Sequence, residues 1–332
     1  MAVFVGADLS DYVFSGIGGN TVPSRLMEEF AMKETQDLFP TRLERKLGMF
    51  ERIDPVVHSE GDQRKGPLSE AELDEFDRKG FLSFEGFFDE DEMEAFLQEL
   101  RDYESDEDLK LSEGTILEPG KQEIRSIFGI HEVSERFSRL TRDPRLLAMV
   151  QQILGGDAYI HQSRINYKPG FKGKGFDWHS DFETWHSEDG MPRMRSVSCS
   201  IILTENGEFN GPLMLVPGSH HYFVPCVGRT PEDNYKESLK SQDIGVPDDA
   251  SLRDLMLKGD IEAPKGPVGS LVMFECNTLH GSNINMSCWP RSNLFFVYNS
   301  VENTLHDPYC GNRPRPEFLA NRKDWRPLTP AE

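Results

Sequence analysis

The run AYIHQSRINYK, residues 158–168, decides how the second half of the chain is read. As a strand it sets Gln162, Arg164, Asn166 and Lys168 on one face and Ile165 and Tyr167 on the other, because successive side chains alternate across a sheet. A face made wholly of polar groups is either open to solvent or the wall of a polar pocket. Further β-type runs follow, broken by Gly, Pro and Asn: SVSCSIILT (196–204), GPLMLVPGS (211–219), VGSLVMFEC (268–276) and SNLFFVYNS (292–300). Short strands at this spacing predict a mainly β protein with flanking helices. Its core is expected to be a double-stranded β-helix of the jelly-roll, cupin-like type, with a ligand site in the mouth of the barrel.

Upstream of this core the texture is helical. SEAE from Ser69 and DEDE from Asp89 read as capping boxes, the first before Leu73 and Phe76, the second before the stripe Met93, Phe96, Leu97 and Leu100. In DPRLLAMVQQILGG, Asp143 is the expected N-cap, Pro144 the first helical residue, and Gly155-Gly156 the stop. The expected organisation is an N-terminal extension over 1–36, without sustained periodicity, and a single domain over 37–332, with a helical part at 69–156 and the jelly roll at about 157–310. Residues 230–262 form an acidic insertion with a short helix around Leu252, Leu255 and Met256, either a lid or a surface excursion.

Composition narrows the partners. The chain of 332 residues is 37% hydrophobic and 28% charged, enough for a real core, and its formal charge is −21. That charge argues against nucleic acid or an anionic membrane as partner, since phosphate contacts from Lys and Arg dominate such binding. No apolar run spans a bilayer and the opening MAVFVGADLSDYVFSGIGGN is unlike a secretory signal, so the expected location is cytoplasmic. Five widely spaced cysteines, Cys199, Cys226, Cys276, Cys288 and Cys310, form no C-x-x-C pair and are expected to be reduced.

The chemistry concentrates in FDWHSDFETWH, residues 176–186, which holds two His, two Asp, a Glu and two Trp. If residues 176–182 are extended, His179 and Asp181 project from the same face. A metal held by this pair needs a third ligand, and His280 in NTLHGSN, at the end of a predicted strand, is the best placed. Two His and one carboxylate leave open positions on an octahedral ion, the arrangement of non-haem Fe(II) oxygenases, where O₂ and a cosubstrate bind. His186, His220 and His221 compete as ligands, and a three-histidine zinc site would need one of them in place of Asp181. Arg291, Asn293 and Phe295 share one face of the last predicted strand, and a guanidinium inside a barrel requires an anion. The dicarboxylate 2-oxoglutarate would supply it, and Lys168 and Asn166 on the polar strand face could reach its carboxylates.

These residues resemble the phytanoyl-CoA dioxygenase-like superfamily of Fe(II)/2-oxoglutarate oxygenases: the H-x-D at 179–181, the GPLMLVPGSHH turn at 211–221, the distal His280 and the later Arg291. Residues 161–207, from HQSRINYKPG to SIILTENG, are similar to the ectoine hydroxylases within it, and the resemblance runs from about Asp37 to the C-terminus. It implies His179, Asp181 and His280 as iron ligands. It implies cosubstrate contacts at Lys168, Asn166, Ser282 and Arg291, with Phe176 nearby, and substrate contacts at Gln162 and Trp185, then Thr184 and Arg315. The implied reaction takes L-ectoine to 5-hydroxyectoine, using Fe(II), 2-oxoglutarate and O₂ and releasing succinate and CO₂, in compatible-solute synthesis under osmotic stress. Ectoine carries an amidinium cation, which favours an aromatic face such as Trp185, and a carboxylate, which wants an amide or guanidinium donor. The rivals are a hydroxylase of another small zwitterion, such as a free amino acid, and a non-catalytic cupin-like metal- or ligand-binding protein. The small molecule is the expected partner, and a homodimer is compatible with all of this.

Overall fold

The computed structural model describes residues 37–118, 120 and 122–331, so the N-terminal extension expected over 1–36 lies outside the described residues. The large sheet is antiparallel and runs β2-β10-β7-β12-β5-β4-β3. Its members are β2 (Phe81–Phe84), β3 (Thr115–Leu117), β4 (Ile124–Phe128), β5 (Ala158–Lys168), β7 (Ser196–Ile202), β10 (Leu271–Glu275) and β12 (Arg291–Ser300). A smaller antiparallel sheet, β6-β11-β8, comprises β6 (Phe176–His179), β8 (Leu213–Leu215) and β11 (His280–Ser282). A two-stranded ribbon joins β1 (Phe50–Glu51) to β9 (Tyr222–Phe223). The β runs predicted after Gly156 all appear as strands, while β2, β3 and β4 lie unanticipated among the helices of the earlier half.

Alternation of side chains divides the large sheet into a dry face and a chemical one. Leu294, Phe296 and Tyr298 of β12, Cys199 and Ile201 of β7 and Met273 of β10 join one core cluster with the helices. The inter-sheet layer is smaller: Leu213 and Leu215 of β8 pack with Val272 and Phe274 of β10 and Phe295 of β12. On β5 the parity changes midway. Val297 pairs with Gln162 but Tyr298 pairs with Ile160, which leaves His161 as the extra residue of a β-bulge. Ile160, Ile165 and Tyr167 can therefore all face the helices, while Gln162, Arg164 and Asn166 face the other way. Every residue of β5 is buried, so its polar face is a pocket wall and not a solvated surface.

The helices form where the capping signals place them. In α1 (Glu70–Lys79), Ser69 accepts from the Glu72 N–H at 3.3 Å while Glu72 returns a bond to the Ser69 N–H at 2.8 Å; Asp89 and Glu92 do the same for α2 (Glu90–Ser105). In α3 (Pro144–Leu154), Asp143 caps Arg145 and Leu146, and Leu146, Leu147, Val150, Ile153 and Leu154 are buried against the sheet. Each such side chain contributes about 1.5–3 kcal/mol on leaving water. The helix stops because Gly155 adopts φ +66°. No helix among the described residues is long and apolar enough to cross a membrane.

A side chain at Gly155 would suffer twice, from the left-handed backbone and from a Cβ placed 2.5 Å from the His58 carbonyl oxygen. Gly155→Ala should therefore lose roughly 1–3 kcal/mol of stability, read as a lower urea midpoint. Metal binding by the folded fraction should be unchanged, because the site lies on the other face of the sheet.

Candidate metal centre and substrate cavity

β6 and β11 are neighbours, and their register makes His179 and His280 direct Cα partners, with ring centroids 4.2 Å apart. The expectation that Asp181 continues the strand is corrected. β6 ends at His179, Ser180 becomes an N-cap whose hydroxyl accepts from the Glu183 N–H at 3.4 Å, and Asp181 opens a short helix, α4 (Asp181–Thr184). Serine prefers this capping role to a strand interior. The convergence survives, because His179 Nε2 and His280 Nε2 each stand 3.7 Å from a different oxygen of Asp181. Among the described residues this is the group of His and acidic side chains able to share an ion, its ligand atoms all within 4.8 Å of one another.

The surroundings are those of ligands awaiting a cation. Nδ1 of His179 is 2.6 Å from the Asp177 carbonyl and Nδ1 of His280 is 3.0 Å from that of Thr278. Donation of Nδ1–H to these carbonyls leaves each Nε2 lone pair free to coordinate. Burial, reinforced by His179, pushes the His280 pKa down to about 4, which keeps that ring neutral. Burial opposes ionisation of Asp181, but His280, Arg164 and His179 outweigh it and hold the carboxyl below its usual range. Its Oδ2 is buried without a hydrogen-bond partner. A carboxylate in that state is costly unless a metal completes it, so the donor set fits a ferrous ion. His186 and His220 are held elsewhere: His186 Nδ1 bonds the Met191 carbonyl at 2.8 Å, and His220 Nε2 lies 2.9 Å from that of Asp77, with the His221 ring packed on it.

The triad opens into a cavity of about 110 Å³, whose walls include Gln162, Asn166, Phe176, Thr184, Trp185, Ser282, Arg291 and Arg315. Lys168 stands one step back, its Nζ donating to Ser282 Oγ at 2.7 Å and to the Asn283 carbonyl. At this end Arg125 is paired with the buried Glu118, while Arg291 and Lys168 form no salt bridge among the described residues. Arg291 spends Nε and Nη2 on the Gly211 carbonyl, at 3.0 and 2.7 Å, and is buried with no carboxylate bound to it among the described residues. Burial and the nearby Arg125 push its pKa down to about 10, and burial, Arg291 and Arg125 push Lys168 down to about 5. A buried guanidinium with no acid bound to it, beside a buried amine that can take up a proton, marks a candidate anion site. Phe176, with the Arg125 guanidinium 3.9 Å over its ring, closes one side.

At the other end Trp185 is buried, Gln162 Nε2 donates to the Leu319 carbonyl at 2.7 Å, and the Thr184 hydroxyl accepts from Arg42 at 3.3 Å. Arg315 forks onto Asp189 at 2.7 and 2.6 Å. The sequence places Arg164 on the polar strand face without giving it a role, and it does not mark Glu188, Ser126, Phe128 or Leu213 as cavity walls. Arg164 bonds Gln162 and lies 4.6 Å over the Phe295 ring; its place on the polar face of β5 was the available signal. Glu188 follows Asp181, Thr184 and Trp185 at helical spacing, a stripe invisible while the stretch was read as extended. The insertion supplies Ser238, Leu239, Gln242 and Ile244 to the cavity wall, so it covers the site. Its predicted helix is α5 (Asp249–Gly259), with Leu255 buried.

A β-sandwich barrel with a two-histidine, one-carboxylate centre at its mouth is the architecture of the mononuclear non-haem iron oxygenases. The sequence matches the phytanoyl-CoA dioxygenase (PhyH) family over residues 76–293, and the chain belongs to that family. It is 54% identical over 301 residues to the ectoine dioxygenase of Halomonas elongata, an alignment covering 90% of each chain, and 51% identical to that of Bordetella parapertussis, covering 90% of this chain and 96% of the relative. The crystal structure of EctD from S. alaskensis with 2-oxoglutarate and 5-hydroxyectoine superposes with a TM-score of 0.80 at 43% identity, covering 89% of this chain and 98% of that one. The carbocyclase SnoK, at 18% identity and a TM-score of 0.55, shares the fold.

Asp181→Ala removes the carboxylate from the candidate ligand set and leaves the two imidazoles. Ferrous-ion affinity, measured by anaerobic titration, should fall by at least 100-fold while circular dichroism is unchanged. Retained tight binding would remove Asp181 from the ligand set.

Proposed function

We propose that this protein hydroxylates L-ectoine to 5-hydroxyectoine, one oxygen atom of O₂ entering the product and the other entering succinate as 2-oxoglutarate loses CO₂, and that residues 37–332 act as a single catalytic domain. The observation that carries the reading is the meeting, in one small cavity, of the His179–Asp181–His280 triad, an acid-free cation site at Arg291, and the Trp185–Arg315 wall. His179, Asp181 and His280 would hold a ferrous ion, which when bound would supply the redox chemistry of the reaction.

The remaining task of the chain is binding, orientation and exclusion of water. The Arg291 guanidinium has donors left over after its two bonds to Gly211 and takes the distal carboxylate of 2-oxoglutarate, with Lys168 and Ser282 behind it and Asn166 beside it. Trp185 offers its face to the amidinium, and Arg315, with Gln162 and Thr184 nearby, meets the ectoine carboxylate. Orientation then decides the outcome, because the carbon nearest the oxidant is the one attacked. Phe128, Phe176 and Phe295, with Leu239 and Ile244 of the insertion, make the wall apolar between these polar contacts and keep water from competing.

Succinate release by the iron-loaded protein under O₂ should rise with ectoine and far less with L-proline. Stimulation by proline alone would defeat the substrate assignment, and tight iron binding without succinate from either would identify a non-catalytic binding protein. A second expectation follows from Lys168. Its pKa of about 5 in the folded chain, against an ordinary 10.5, leaves the amine neutral at pH 7. A carboxylate arriving beside it favours the charged form, so 2-oxoglutarate binding should take up a proton and weaken as pH rises from about 5. Calorimetry in two buffers of different ionisation enthalpy reads this directly, and equal heats would exclude it.

A further inference from the structure

Asp189 touches neither the triad nor the cavity, yet the substrate wall is assembled around it. Its carboxylate is fully buried and receives both arms of Arg315, Nε to Oδ1 at 2.7 Å and Nη2 to Oδ2 at 2.6 Å. His161 Nε2 stands 3.5 Å from Oδ2, and neither nitrogen of that buried ring has a hydrogen-bond partner. The same ring presents itself edge-on to Trp185, centroids 5.1 Å apart at 68°. His161 is there because it is the bulged residue of β5, a device that re-aims a side chain without ending the strand. The backbone is fixed as well: the Asp189 carbonyl accepts from Arg322, and the Gly190 N–H donates to the His186 carbonyl at 3.1 Å.

The chemistry of a guanidinium gives this arrangement a purpose. Arg carries five N–H donors in one plane, and a fork onto a carboxylate uses two of them. The plane is then fixed, and the remaining donors have one direction in which to meet a second anion. Arginine without such an acid keeps its rotamer freedom and loses part of its binding energy when it orders. Arg315, Asp189, His161 and Trp185 thus form a continuous chain of contacts from the group that would hold a carboxylate to the group that would face an amidinium.

We infer that Asp189 is a positioning residue, which fixes Arg315 directly and Trp185 through His161, and so sets the spacing between the anion-reading and cation-reading groups that selects a compact zwitterion. The inference rests on the ectoine reading above. Asp189→Asn keeps the shape and one acceptor but removes the charge. The KM for ectoine should rise at least tenfold with that for 2-oxoglutarate unchanged, and more than one succinate should form per hydroxyectoine as loosely held substrate is missed. In a double-mutant cycle with Arg315→Lys the two effects on the ectoine KM should be strongly non-additive, which a merely structural defect would not produce. His161→Phe, which keeps a ring against Trp185, should be milder than His161→Ala. Where Asp189→Asn does not accumulate as folded protein, Asp189→Glu, which keeps the charge and displaces it by one methylene, enters the same cycle with the same expected direction. A wild-type KM in the variant, additive effects, or a parallel rise in the 2-oxoglutarate KM overturns the inference while ectoine turnover by the wild type stands. A wild type that leaves ectoine untouched sinks the substrate reading and this inference together.

Discussion

The register between β6 and β11 is the constraint on which the site depends. Only because His179 pairs directly with His280 do two imidazoles from distant parts of the chain arrive side by side. Side chains alternate with a period of two, so a slip of one residue in either strand would turn a ring to the opposite face and dissolve the centre. These strands are too short to hold register by their own ladder. The neighbours supply it: β8 pairs with the other edge of β11, His280 opposite Leu215, and Leu213 and Leu215 anchor that sheet in the apolar layer shared with β10 and β12. The placement of the candidate ligand side chains is a consequence of hydrophobic packing one layer away.

The same interior carries an electrostatic debt. Arg164, Lys168 and Arg291 are buried, and none forms a salt bridge with another described residue. Burying a guanidinium costs several kcal/mol unless it is paired, and the buried amine of Lys168 gives up its proton instead, so a sequence selected for stability alone would not keep them. Burial, the largest influence on all three, lowers their affinity for protons, taking Lys168 down to about 5 and Arg291 to about 10. The deficit is concentrated where a dicarboxylate would bind, and binding would remove it. On the proposed function, a bound dicarboxylate would return that stability and would be drawn to this prepared interior site, not to a surface patch on a molecule of net charge −21.

How much of this was legible depended on the range of the interaction. Capping boxes at Ser69 and Asp89, the Pro144 start and the Gly155 stop are local and were read from local sequence. The H-x-D pair and the later histidine were legible because ligand chemistry admits few residue types. The route by which Asp181 reaches the two histidines was not, since a serine hydroxyl capping three residues ahead competes with extension and wins here. The bulge at His161 was likewise hidden, because an extra residue in a ladder leaves no compositional mark, and it changes which face every residue before it occupies. The role of residues 238–244 as a cavity wall is a matter of where an irregular chain folds back, and periodicity carries no information about that.

Arg42 shows the limit most plainly. It lies among residues with no readable period, yet its Nε and Nη2 fork onto Glu183 at 2.6 and 2.7 Å and its Nη1 bonds Glu188 at 3.0 Å. Asp181, Thr184, Trp185 and Glu188 form the stripe of the helical stretch that faces the cavity, and Glu183 lies off that stripe. Arg42 therefore grips the stretch from behind at one acid and reaches round to the other. It does so from a backbone at φ +57°, a conformation that costs a non-glycine residue about 1 kcal/mol or more. A buried, bidentate, charge-assisted pair is strong enough to hold that strain. The helical stretch is short and contains a π-type turn, so it has little intrinsic stability and would not keep Asp181 and Trp185 in fixed relation unaided. The clamp from a residue 141 positions earlier ties it down, so the placement of Asp181 and Trp185 depends on a part of the sequence that displays no motif.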